Sequence, residues 1–280
     1  MGTGERQLPG IVKAVFWFVV VNAMGGALVL LLFPAKTESY FFWNMTPPIN
    51  AMLMGGMYLV AGSAVLYAIL RGTWEAMRFM AVMASAFTTL LFIVTIVHMD
   101  RFIPGIRLYY WLLVYFVAAT FAVSIYWYFE RSGSNRQAAR QEIRPLTRLS
   151  ALATGTAILV LVIVGLFAPE VITRIWPWTI SPLMMRVFMS WLSALAAGTL
   201  WFGFESDWTR VQPVAYMLIA VPVLIAILLP INRADLTGNP LTLTVFIVLL
   251  VLMGLTGLLM VWQQRSSRAA SLANEKLPIR

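Results

Sequence analysis

The chain has 280 residues, 61% of them hydrophobic and 11% charged, with a mean hydropathy of +0.84. Soluble domains carry about 25% charged residues, so this composition excludes a water-soluble globular protein and places the chain in a bilayer. There is no Cys and one His, His98, which excludes disulfides, Cys-ligated zinc, iron–sulfur clusters and any site built on several imidazoles; the net charge of +9 does not indicate nucleic acid, because the basic residues lie mainly between apolar runs on one side, a topology signal that also suits anionic lipid headgroups.

A helix that crosses a hydrocarbon core of about 30 Å needs about 20 apolar residues. Eight segments meet this requirement: Ile11–Phe33, Ile49–Leu70, Phe79–Val97, Leu108–Phe129, Leu149–Phe167, Leu183–Phe204, Pro213–Leu229 and Leu241–Trp262. The first has no small-residue cleavage site and reads as a retained anchor. The seventh is short and carries Pro222, which should kink it. The runs are too long and too uniformly apolar for barrel strands. The fold class expected is an all-α polytopic integral membrane protein with eight transmembrane helices.

Fourteen of the 20 Lys and Arg fall on the side of the N-terminus, including Arg78, Arg131, Arg148 and Arg210. The positive-inside rule then makes that side cytoplasmic. Both termini are expected inside, with the chain in a plasma (inner) membrane, and an even number of spans agrees with this.

Two stretches match each other. Trp43, Thr46 and Pro47 correspond to Trp178, Ser181 and Pro182 at an offset of 135; Trp74, Ala81, Met83 and Ala86 correspond to Trp208, Ala215, Met217 and Ala220 at an offset of 134. The chain therefore reads as two parallel, same-topology four-helix repeats: residues 1–130 and 149–264, a basic cytoplasmic linker at 131–148, and a polar basic C-terminal tail at 265–280. Two even-numbered units face the same way, with a pseudo-axis along the membrane normal.

The repeated motif has a physical sense. Trp43 and Trp178 are expected as interfacial anchors, with Thr46 or Ser181 capping the helix that follows and Pro in its first turn. The simplest role is to start helices and set their depth. The small residues that follow, Gly55, Gly56 and Gly62 in one unit and Ser190, Ala194 and Gly198 in the other, are expected to form the seam between the halves.

Polar groups within a bilayer are functional suspects. The strongest cluster is "HMDRF" at 98–102, with His98, Asp100 and Arg101, together with Arg107 and Arg186; Arg233 and Asp235 stand at the matching place in the other unit. The cluster is expected at the outer face, as an entrance or headgroup site, or as ion pairs that hold helix ends together, the second reading being favoured. Asp100 has Arg101, Arg107 and Arg186 as candidate partners. His98 has no companion suited to acid–base work or to metal. Methionine stripes raise copper(I), but they sit in opposite leaflets and also fill gaps in apolar packing. On the other side, Glu75, Arg78, Glu205, Asp207 and Arg210 read as charged turns. No catalytic residue, metal site or cofactor is assigned.

Three functions follow. The first is binding or transport of a small or lipidic molecule in the cleft between the halves. The second is an accessory or structural subunit of a membrane complex, and the third an intramembrane enzyme using His98 and Asp100, the least supported. The partners expected are the lipid bilayer, a small hydrophobic ligand and other membrane proteins. A transporter requires a mid-membrane cavity, a scaffold a filled interior, and an enzyme an outer pocket open to His98.

Overall fold

The computed structural model describes residues 6–131 and 141–275, with 266–275 described as helical backbone only. Residues 132–140, half of the basic linker expected at 131–148, and residues 276–280 therefore lie outside the described residues.

Among the described residues ten α-helices follow in order: α1 Gly10–Leu32, α2 Thr37–Tyr40, α3 Pro48–Arg71, α4 Trp74–Val97, α5 Ile106–Arg131, α6 Pro145–Phe167, α7 Pro169–Thr173, α8 Pro182–Leu200, α9 Trp208–Ile231 and α10 Pro240–Glu275. Among the described residues, eight of these are long and apolar enough to cross a membrane, α2 and α7 being short. The chain is a multi-pass, all-helical membrane protein. The spans α1, α4, α6 and α9 begin on what we term the first face; α3, α5, α8 and α10 begin on the second.

Local chemistry sets the starts and stops. Pro48, Pro145, Pro182 and Pro240 each open a helix, where a missing N–H is without cost. Gly72 ends α3 in the left-handed conformation, φ 70°, which glycine adopts without a Cβ penalty. Several boundaries differ from the sequence reading: the fifth span starts at Pro145 rather than Leu149 and the seventh at Trp208 rather than Pro213. The third span starts at Trp74 rather than Phe79, since a polar first turn with Glu75 suits a helix N-terminus. The last helix continues past Trp262 to Glu275, so the expected tail is helical for ten residues beyond Arg265; no Gly or Pro interrupts 258–275. The seventh span runs unbroken with Pro213, Pro222 and Pro230 inside it, and the ring of Pro222 rests against Gly254 of α10.

The packing is pairwise. α1 runs along α3 and α4 along α5; α6 runs along α8 and α9 along α10. The two sets meet where α4 packs on α8 and α3 on α9. This leaves α8 at the centre, 78% buried, and α10 at the edge, 17% buried, so the apolar surface of α10 faces lipid rather than protein. Two short backbone bridges tie loops together on the first face, Gln7 to Thr73 and Glu142 to Asp207.

The small residues do not form one seam. Gly55 and Gly62 face Leu30 and Met24 of α1, within the first four spans. Gly56 faces Leu224 of α9, and Gly198 faces Met83 of α4, 2.9 Å from an ideal Cβ; these two do join the two sets. Neighbouring positions on a helix point to different neighbours, so one run of small residues serves two interfaces.

Candidate functional site

The first four spans enclose a cavity of about 580 Å³, backed by α8 and α9. This lies in the range of small-molecule pockets. Its walls come from one stripe of α1 (Phe18, Asn22, Gly25, Gly26), the facing stripe of α5 (Tyr110, Val114, Tyr115, Ala118), and Tyr58, Phe87 and Trp191 from α3, α4 and α8. No Lys, Arg, Asp, Glu or His lines it. The space exists because α1 packs on α3 and α5 packs on α4, while α1 and α5 make little contact. Phe18, Val21 and Val117 line it and are at the same time exposed, so it opens sideways between α1 and α5. Phe16 meets Phe121 edge-on toward the first face. The hydroxyl of Tyr110 donates to Asn22 Oδ1 toward the second.

Toward mid-span, five rings adjoin. Trp191 stacks on Phe87 at 3.9 Å between centroids and stands edge-on to Tyr58 at 5.0 Å; Trp111 lies 4.4 Å from Tyr115. The hydroxyls of Tyr58 and Tyr115 hydrogen-bond each other. Sequence reasoning missed this site. The polar residues in it are uncharged, and nothing in one span shows that a ring on α3 meets a ring on α5. The only signal was the pair Gly25–Gly26, which stays clear of bulky side chains on α1.

The structure separates most of the residues of the expected second-face cluster. Arg186 Nη1 donates to His98 Nε2 at 2.9 Å, and its Nε donates to Leu166 O. Because a guanidinium only donates, Nε2 is the unprotonated nitrogen. Burial first, and then the Arg186 charge, lower the His98 pKa below its ordinary 6.5, against the opposing pull of Asp100. Among the described residues Asp100 pairs with Arg101 alone, at 3.0 Å with both side chains exposed. Arg107 instead donates to the carbonyls of Glu38, Ser39 and Phe41. Arg233 is exposed. Asp235 accepts from Ile49 N at 2.9 Å, capping α3 from across the molecule.

The Trp motif also departs from expectation. Trp43 and Trp178 are 1% and 2% exposed, so they face protein and are not surface anchors. Each reaches the opposite set of spans: Trp43 Nε1 to Met184 Sδ at 3.3 Å, Trp178 Nε1 to Asn50 Oδ1 at 2.9 Å. Thr46 does not cap α3; its hydroxyl donates to Asn44, and Pro47 occupies the cap position, with Pro48 opening the helix. Ser181 does cap α8, accepting from Met184 N at 3.2 Å ahead of Pro182.

The first-face residues read as charged turns form a partly buried ion-pair network centred on the buried Glu205. Arg78 bridges Glu130 and Glu205, each at 2.8 Å, and stands over the Trp201 ring. Arg210 pairs with Glu205 at 3.2 Å. Arg148 donates to the carbonyls of Gly203 and Glu205. Glu205 itself is 4% exposed. Together these contacts clamp α4 and α5 to the α8–α9 loop. No cluster of metal-binding residues occurs among the described residues. No family model, curated protein or solved structure matches this chain.

Proposed function

We propose that the protein binds a small apolar or lipidic molecule inside the bilayer, in the cavity enclosed by α1, α3, α4 and α5. The cavity carries this reading: a charge-free, ring-lined space at mid-span, open sideways to the surface that lipid covers. It argues against a scaffold with a filled interior. It also argues against an enzyme at His98, which is hydrogen-bonded to Arg186 and does not line the cavity. The site lies within the first four spans, with α8 and α9 as its rear wall, rather than midway between two halves.

We further propose that the chain is a duplicated four-helix unit. Supporting this, elements recur at the offsets of the sequence: Leu32 and Phe167 end the first spans 135 apart, Trp74–Val97 and Trp208–Ile231 lie 134 apart, and so do the 3₁₀ turns Met99–Arg101 and Arg233–Asp235. The two backbone bridges correspond, as do the two Trp hydrogen bonds, since 184 is 50 plus 134. On the positive-inside rule the first face is cytoplasmic, in a plasma (inner) membrane.

The ligand reading is tested by native mass spectrometry of the full chain purified from its membranes. Gly25 lines the cavity and has nothing within 4 Å of an ideal Cβ, so Gly25→Val adds bulk to the cavity wall at a position with room for a Cβ. The wild type should carry a bound apolar molecule that this variant loses. Equal retention by both would overturn the reading.

A further inference from the structure

We propose that the ligand is a neutral lipid with a flat, carbonyl-bearing ring, of the quinone class, which enters from the bilayer between α1 and α5. This rests on the ligand reading above and names its chemistry. The charge-free lining excludes a phospholipid or a fatty acid held head-first, because a phosphate or carboxylate taken from water needs a partner. Flat aromatic walls at Phe87, Trp111, Tyr115 and Trp191 favour an offset-stacked ring over a bare acyl chain.

The polar groups select for an acceptor. Trp111 Nε1 is engaged by Thr95 Oγ1 at 3.0 Å, Thr88 by Ala84 O, and Tyr110 by Asn22. At mid-span, two buried donors are left over among the described residues. The Tyr58–Tyr115 pair has two hydroxyl protons and one bond between its oxygens, so one proton remains to donate. The indole N–H of Trp191, buried beside that pair, finds no acceptor among the described residues. Both lie near the middle of their helices. A ring carbonyl supplies the acceptor that this depth otherwise lacks, and an apolar tail can leave through the lateral opening past Phe18 and Val117. Gly25 and Gly26 keep that stripe of α1 thin; at the offset of 135 the second unit has Val160 and Leu161.

The test uses the full chain in phosphatidylcholine nanodiscs, with radiolabelled decylubiquinone as the ring probe and monoolein as a neutral, ringless lipid. Decylubiquinone should bind saturably, one per chain, and at least tenfold more tightly than monoolein. Gly25→Val should weaken it at least tenfold. Tyr58→Phe with Tyr115→Phe, which keeps both rings, should weaken it about fivefold, the scale of one lost hydrogen bond; if the double variant does not fold, Tyr115→Phe alone is read. If monoolein binds as tightly as the quinone in a Gly25-dependent way, and the Tyr variants change nothing, the ring-carbonyl inference falls while the ligand reading stands. If neither probe binds saturably and Gly25→Val is without effect, both fall.

Discussion

His98 and Arg78 show how far a side chain's role depends on what reaches it. Neutral His98 accepts from Arg186; protonated, it would face that guanidinium with a second positive charge. Its folded pKa is lowered, so the unfolded chain takes the proton more readily. The stability it contributes is therefore complete above about pH 6.5 and is lost as pH falls below that value. Thermal unfolding in detergent should show midpoints that drop between about pH 6.5 and 5 by more in the wild type than in His98→Gln, which cannot titrate; parallel profiles would refute this. Arg78 lies 127 residues from Glu205, its partner at 2.8 Å. Arg78→Ala leaves the buried Glu205 carboxylate with Arg210 as its one cationic partner among the described residues, and should cost about 3 kcal/mol, the lower end for breaking a buried pair. Arg78→Ala with Glu205→Gln should recover part of that loss in the same unfolding assay. The ion-pair partners were not legible in the sequence, because the apolar pattern of a span fixes its depth but not its neighbours.

Element boundaries follow local rules wherever the cap is local. Ser181 caps α8 as its position suggests. Thr46 fails at the matching place because Pro47 intervenes before the helix and the cap for Ile49 N comes from Asp235 on another loop. Asp235→Ala should therefore destabilise α3 although it lies 186 residues away. A loss of about 1 kcal/mol is expected, visible as faster hydrogen exchange at residues 49–51; unchanged exchange there would sink the assignment. The length of α10 was underestimated for a related reason. Hydropathy marks where lipid contact ends, whereas a helix ends at a breaker, and here the first Gly or Pro after Gly257 is Pro278.

For the molecule as a whole, the orientation proposed from Lys and Arg is directly accessible, because the chain has no Cys. In right-side-out vesicles a membrane-impermeant thiol reagent should label Asp100→Cys, at a position 68% exposed. It should leave Ser134→Cys, in the basic linker, unlabelled until the membrane is opened. The reverse pattern would invert the topology and move the ion-pair network to the outer face. The network at the first face and the paired Trp bonds at the second fasten both ends of the interface between the two sets of spans.

The sequence alone determined the all-helical class and the eight segments long and apolar enough to cross a membrane, because crossing a bilayer depends on apolar length, a one-dimensional property that can be read along the chain. Only the tertiary structure decided that Trp43 and Trp178 are buried links rather than anchors, that Arg78 and Glu205 meet, and that the cavity belongs to one set of spans. Each of these depends on which face of a helix a neighbour covers. In a bilayer, lipid is as apolar as a partner helix, so hydrophobicity by itself cannot specify that choice; the glycines, rings and paired charges do.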